Sequence, residues 1–219
     1  MSMIFVNNMS FKYANASEYL FENINITFDS TDKKIYKIDG KNGIGKTTFL
    51  KILAGILVPT SGNITIGEKK NSYNAFKQEI AYVPSEPKLY DSVNAYDYID
   101  IIAELWNIKS NEYIKYKEKV LNILEKLDLQ DLKLDVNMYS LGMVYKLYFA
   151  LMIAKNPKVL LLDEPFTALD KSSKIIATQL IEDASNEMII IYSSHQNEIL
   201  SELDKKNVDL NKLKKEGLL

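Results

Sequence analysis

Residues 40–48 read Gly40-Lys41-Asn42-Gly43-Ile44-Gly45-Lys46-Thr47-Thr48. Glycines at 40, 43 and 45 let the backbone curl until consecutive N–H groups face one point, and a helix starting directly behind them adds the positive end of its dipole. Such a cradle, built from Asn42, Gly43, Ile44 and Gly45, suits the phosphates of a nucleoside triphosphate, and the order matches G-x-x-x-x-G-K-S/T. Lys46 supplies a point charge for the outer phosphates. Thr47 offers a hydroxyl to Mg2+, and Thr48 can reach the innermost phosphate. A second run, Val159-Leu160-Leu161-Leu162-Asp163-Glu164, ends an apolar segment on two carboxylates. Asp163 can hold the water shell of Mg2+, and Glu164 is placed to polarise an attacking water. Alone, two acids after an apolar strand read as a solvated strand end; beside the phosphate loop they complete a hydrolytic pair.

The elements that must position these residues follow from periodicity. Met3 to Phe11 and Leu20 to Phe28 have strand character, and Ile35 to Ile38 is a short strand running straight into the glycine loop. Phe49, Leu50, Ile52, Leu53 and Ile56 then keep helical spacing until Gly55 and Pro59 end the element. Asn63 to Ile66 and Glu79 to Val83 predict further strands. From Ser92 to Ala154 apolar residues recur every three or four positions, which predicts two or three helices. Val159 to Asp163 and Met188 to Tyr192 are apolar runs of the kind buried on both faces of a parallel sheet, separated by a helix from Lys171 to about Asp183. The tail from Asp204 to Leu219 is lysine-rich and weakly patterned. The alternation predicts an α/β domain with two lobes around a helical insert.

The chain has 219 residues, 47% hydrophobic and 26% charged, enough for a substantial core. A formal net charge of -2 lacks the basic excess of a nucleic-acid protein, so no nucleic-acid partner is expected. Without cysteine there is no disulfide, thiol nucleophile or thiolate metal site. All 27 positive charges are lysine, so no arginine clamp can form within the chain. The only histidine is His195. The longest apolar run, Leu147 to Ala154, falls far short of the roughly 20 residues that span a bilayer. The opening residues carry neither a basic nor an extended apolar segment of a secretory signal.

Downstream of the acidic pair stand Pro165, Ala168-Leu169-Asp170 and, after the next strand, Ser193-Ser194-His195; upstream stands Tyr139-Ser140-Leu141-Gly142-Met143. In this order the set resembles ATP-binding cassette (ABC) proteins over essentially the whole chain, with the last segment similar to their signature motif. The resemblance implies a P-loop NTPase core with a mostly parallel sheet, an N-terminal antiparallel β subdomain and a helical subdomain insert. It divides a single domain, 1–219, into a nucleotide-binding core of residues 1–84 and 156–219 and a helical subdomain of 85–155. It implies ATP and Mg2+ as cofactors and makes Glu164 the general base or water-positioning acid. His195 becomes the switch that contacts the γ-phosphate, and Tyr13 the ring on which adenine stacks. Ser140, Gly142 and Met143 would bind ATP held by a second copy in a head-to-tail dimer, with Asp170 at the interface.

Three positions depart from the family's pattern. Leu141 replaces the first glycine of the signature pair, and Met143 replaces its glutamine. Ser85, in Tyr82-Val83-Pro84-Ser85-Glu86-Pro87, stands where the family's metal-touching glutamine is usual and is shorter by two carbons. Tyr145-Lys146 also replaces the common glutamine-arginine pair. The wording around Glu86 to Ile99 is similar to single-domain ATPases of drug, lantibiotic and bacteriocin-resistance exporters. These work at the cytoplasmic face of the membrane with integral membrane subunits on separate chains. The short tail after His195 leaves no room for an importer-type regulatory domain, which favours export. A weakly hydrolysing, nucleotide-binding regulatory ATPase not coupled to transport is the alternative. Chromosome, ribosome and kinase readings are disfavoured by length or by the missing arginines.

Overall fold

The computed structural model describes residues 3–31, 34–67, 69–70, 78–194 and 203–217. In chain order its strands are β1 (Met3–Phe11), β2 (Phe21–Asp29), β3 (Ile35–Asp39), β4 (Ser61–Ile66), β5 (Lys69–Lys70), β6 (Ile80–Val83), β7 (Val159–Asp163), β8 (Ile189–Ser193) and β9 (Lys206–Asp209). The helices are α1 (Lys46–Leu53), α2 (Ala95–Leu105), α3 (Ser110–Lys126), α4 (Leu141–Ala154), α5 (Lys171–Ala184) and α6 (Leu210–Glu216). One sheet is antiparallel, in the order β2-β1-β4-β5, and the other is parallel, in the order β6-β7-β8-β3-β9.

Why β7 and β8 are apolar throughout is visible in where alternate residues go. Side chains on a strand point to opposite faces with period two. Leu160 and Leu162 of β7, with Ile190 and Tyr192 of β8, enter a core shared with α3 and α4, among them Val120, Leu124, Leu147 and Leu151. Val159 and Leu161, with Ile189 and Ile191, enter a second core, shared with Phe49 and Leu50 of α1 and with Ile4, Val6 and Phe28 of the antiparallel sheet. Each strand therefore feeds two cores, and neither face can be polar until the strand ends.

Between β6 and β7 the expected insert resolves into three helices. Asn94 caps α2, its side chain accepting from the Tyr96 and Asp97 amides at 2.9 and 3.1 Å. Ser140 caps α4 by accepting from the Met143 amide at 3.3 Å. Two expectations shift. The second strand begins at Phe21 rather than Leu20, whose side chain instead walls the glycine loop, 3.1 Å from where a Cβ on Gly45 would stand. The weakly patterned tail contributes β9, which pairs with β3 at the sheet edge and buries Val208 beside Leu210 of α6. Four residues are too few for a period to show.

Lys155, which closes α4, ties the insert to the sheet: its ammonium lies 3.5 Å from the centre of the Trp106 ring, at the end of α2, and donates to the Ile80 carbonyl of β6 at 3.2 Å. Burial pulls its pKa from 10.5 down to about 8 against the opposing charge of Glu79. Because the folded value lies below the unfolded one, the folded chain loses this proton first and stability rises with pH between those values. The full shift is worth at most about 3 kcal/mol. Urea unfolding of wild type and Lys155→Met across that range should therefore show wild type gaining up to this amount relative to the variant. A pH-independent difference would refute the assignment.

Candidate functional site

β3 delivers the chain into the glycine loop, and α1 starts immediately behind it. Gly45, the N-cap, has φ 111° and makes no side-chain cap, leaving the first-turn amides of α1 to face the loop. Any Cβ there would stand 2.9 Å from Phe21, so both the backbone angle and the space require glycine. Gly43 has φ 76°. Lys46 is buried, and its ammonium donates to the Gly40 carbonyl at 2.7 Å, closing the loop on itself. Burial lowers its pKa, opposed first by the negative charges of Glu164 and Asp39.

The loop and the acidic strand meet at one hydrogen bond. Thr47 Oγ1 donates to Asp163 Oδ1 at 3.0 Å. Asp163 ends β7 with 3% of its surface exposed, and two further hydroxyls reach it, Ser193 at 2.8 Å on Oδ1 and Tyr82 at 3.1 Å on Oδ2. Burial, and then the charge of Asp163, push the Tyr82 phenol above its ordinary range and keep it a donor. Neither Tyr82 nor Ser193 carried a role in the sequence, although both stand inside quoted motifs. Strand parity could have found them, but only with the strand order known.

Glu164 follows with φ 47°, a left-handed conformation that is strained for a residue other than glycine. Its amide donates to Ser193 Oγ at 3.0 Å, and its carbonyl accepts from Thr167 Oγ1 at 3.0 Å. Glu164 lines a cleft of about 270 Å³ together with Ser85, Glu86, Leu141, Val144 and Thr167. Ser85 and the signature turn are thus brought to Glu164. The side-chain oxygen of Ser140 bonds within its own turn. Gly142 sits where a Cβ would come within 2.9 Å of the Ala168 carbonyl, so the signature turn and the segment before Asp170 touch through backbone. Met143 is half-buried, and Leu141 projects with 76% of its surface exposed.

Tyr13 packs edge-on against Phe11, and its hydroxyl shares a 2.8 Å hydrogen bond with Thr48 Oγ1. Tyr13, to which the resemblance gives the adenine, and Thr48, which the loop motif sets by the innermost phosphate, are thus bonded to each other. Asn42 and Ile44 lie in the loop, Asn42 exposed and Ile44 half-buried, with the Ile44 amide donating to the Lys41 carbonyl at 3.2 Å. His195 lies outside the described residues. Oxygen donors from a threonine and a carboxylate in contact are the set a hard divalent cation takes, and a glycine cradle with uncapped helix amides beside a buried lysine is the set a polyphosphate takes. The residues present fit both groups.

Residues 23–167 match the family model described as ABC transporter. The chain belongs to this family. Among its ABC relatives is the lantibiotic transport ATP-binding protein SrtF of Streptococcus pyogenes, 31% identical over 204 residues, which are 92% of this chain and 82% of the relative. Another is the cytochrome c biogenesis ATP-binding export protein CcmA of Reclinomonas americana, 32% identical over 181 residues, 82% of this chain and 80% of the relative. A putative ABC transporter ATP-binding protein from Pyrococcus furiosus aligns at TM-score 0.74 and 27% identity over 96% of this chain and 98% of its own. An ATP-binding cassette solved as a dimer in a post-hydrolysis state with ADP and Pi shares the fold at TM-score 0.75, 20% identity and 88% coverage of both chains. The chain is an ABC-type ATPase with the α/β fold expected of it. Among the described residues no helix is long and apolar enough to cross a membrane.

Asp170 caps α5 by accepting from the Ser173 amide at 2.9 Å and from the Ser172 and Ser173 hydroxyls, and Lys146 of α4 stands 3.7 Å away. The Ser172 hydroxyl, then the Ser173 amide and hydroxyl, hold its carboxyl well below the usual carboxylate range. Its folded pKa is depressed, so the contribution is present at neutral pH and fades as acid protonates it below about 4. Asp170→Ala should cost about 1 kcal/mol of unfolding free energy at pH 7. The difference should shrink in acid titrations followed by circular dichroism. An equal cost at all pH values would show that the cap is not electrostatic.

Proposed function

We propose that this ABC ATPase binds ATP with Mg2+ and hydrolyses it to power an exporter, as one of two copies closing head to tail on membrane subunits carried by separate chains, at the cytoplasmic face of the membrane. The observation that carries the reading is the contact of Thr47 with Asp163, which joins the phosphate cradle to the acidic strand within reach of one cation. Transport is supported by the name of the lantibiotic relative, and export by that of the cytochrome c biogenesis relative.

In this reading the loop amides and Lys46 hold the phosphates, and Thr47 and Asp163 hold Mg2+, which supplies charge neutralisation at the outer phosphates. Glu164 takes the proton of a water that attacks the γ-phosphorus as the bridging bond to ADP breaks. Tyr13 exchanges its bond to Thr48 for contact with the adenine, freeing the Thr48 hydroxyl for phosphate. Ser140, Gly142 and Met143 face the nucleotide of the opposite copy, Asp170 lies at the shared surface, and Ser85 contacts the metal shell from the cleft. By the family resemblance, His195 takes the γ-phosphate contact. The core of 1–84 and 156–219 and the helical subdomain of 85–155 would move relative to each other on closure.

Glu164→Gln keeps the shape and removes the base. ATP binding should persist and turnover fall at least about 100-fold. The variant should accumulate an ATP-bound dimer on size exclusion, and an unchanged phosphate-release rate would sink the role. Purification from the native host should recover an integral membrane subunit with the chain. A chain that recovers none and binds ATP without turnover is the regulatory ATPase instead.

A further inference from the structure

Tyr82 and Ser193 stand on the two strands that flank β7. In the parallel register Tyr82 is level with Leu161 and Asp163 with Ser193. Period two places Tyr82, Asp163 and Ser193 on the face of the sheet that packs on α1, the face of Ile189, Ile191 and Leu161. The Asp163 carboxylate therefore accepts three hydroxyls, of unlike standing. Thr47 belongs to the phosphate loop and is itself a candidate metal donor. Tyr82 and Ser193 belong to the sheet, and both donate to Asp163 from fixed strand positions. Ser193 is fully buried, and its one hydroxyl both donates to Asp163 and accepts the Glu164 amide. It thus ties the orientation of one acid to the strained backbone of the next.

We propose that Tyr82 and Ser193 are positioning residues, a pair of sheet-borne hydroxyls that orient the Asp163 carboxylate for a divalent cation and, through Ser193, align Glu164 beside it. The proposal rests on the metal reading given above. Hydrogen bonds to ligating carboxylates set their orientation, and losing one typically weakens metal affinity 10- to 100-fold. Held by neutral donors on opposite oxygens, Asp163 keeps one fixed rotamer when Thr47 turns from it towards a metal. Tyr82→Phe is a sharp probe because the ring, and with it the packing against the core, is kept.

The test is calorimetric titration of wild type, Tyr82→Phe and Ser193→Ala with a non-hydrolysable ATP analogue, in EDTA and in graded Mg2+. Affinity in EDTA should match wild type in both variants, reporting an intact fold and phosphate loop. The Mg2+ concentration giving half of the affinity gain should rise about tenfold in each. Variants equal to or better than a Mg2+-responsive wild type would overturn the pair. A wild type whose affinity ignores Mg2+ would overturn the metal reading itself, and the pair with it. Variants that lose affinity equally in EDTA and in Mg2+ would show a purely structural role and overturn the proposal as well.

Discussion

A carboxylate at the end of a strand buried on both faces loses most of its water, and an unpaired charge there would cost several kcal/mol. Asp163 is in that position, and the surrounding architecture replaces the lost solvent from three directions. α1 brings Thr47, β8 brings Ser193 and β6 brings Tyr82. Lys46, buried in the loop, has its charge favoured by Asp163, Glu164 and Asp39. Strand order, register and the placement of α1 directly after the glycine loop all serve this one site. Moving any of them by a residue would turn a donor to the wrong face.

Immediately beyond Asp163 the chain holds two residues other than glycine at positive φ, Glu164 at 47° and Phe166 at 77°. Such conformations persist when the surroundings over-determine them. Ser193 and Thr167 secure the backbone of Glu164. Phe166 is clamped edge-on by Tyr145 and Phe149 of α4, with ring centres 6.4 and 6.2 Å apart. The helix that begins with the signature turn is therefore also the buttress of the turn carrying Glu164. The aromatic Tyr145, a departure from the family's usual residue, supplies part of that buttress.

The phosphate loop and the acidic strand are legible in the sequence because their chemistry needs particular residue types at fixed local spacing. The parallel sheet is legible because double-sided burial forces unbroken apolar runs such as Val159 to Leu162. The helical insert announces itself by period, as two or three helices. What escapes is whatever depends on strands adjacent in space and distant in the chain. Tyr82 and Asp163 are 81 residues apart, and their meeting needs the order β6-β7-β8 as well as the parity of each strand. Edge strand β9 escapes for another reason: it is short, exposed on most of its length and paired through backbone groups that every residue carries. The Tyr13 to Thr48 bond escapes because a family pattern describes a liganded site.

Because β7 and β8 each send alternate side chains into both cores, neither core can melt while leaving the other whole. Loosening the antiparallel half strips one face of β7, and loosening the helical insert strips the other; either way the same backbone hydrogen bonds are exposed. The amides of these two strands should therefore exchange with solvent only through global opening, while the ends of the insert helices exchange through local fraying. The slowest-exchanging protons in the chain would then sit directly behind Asp163, making its carboxylate the last part of the molecule to lose its shape.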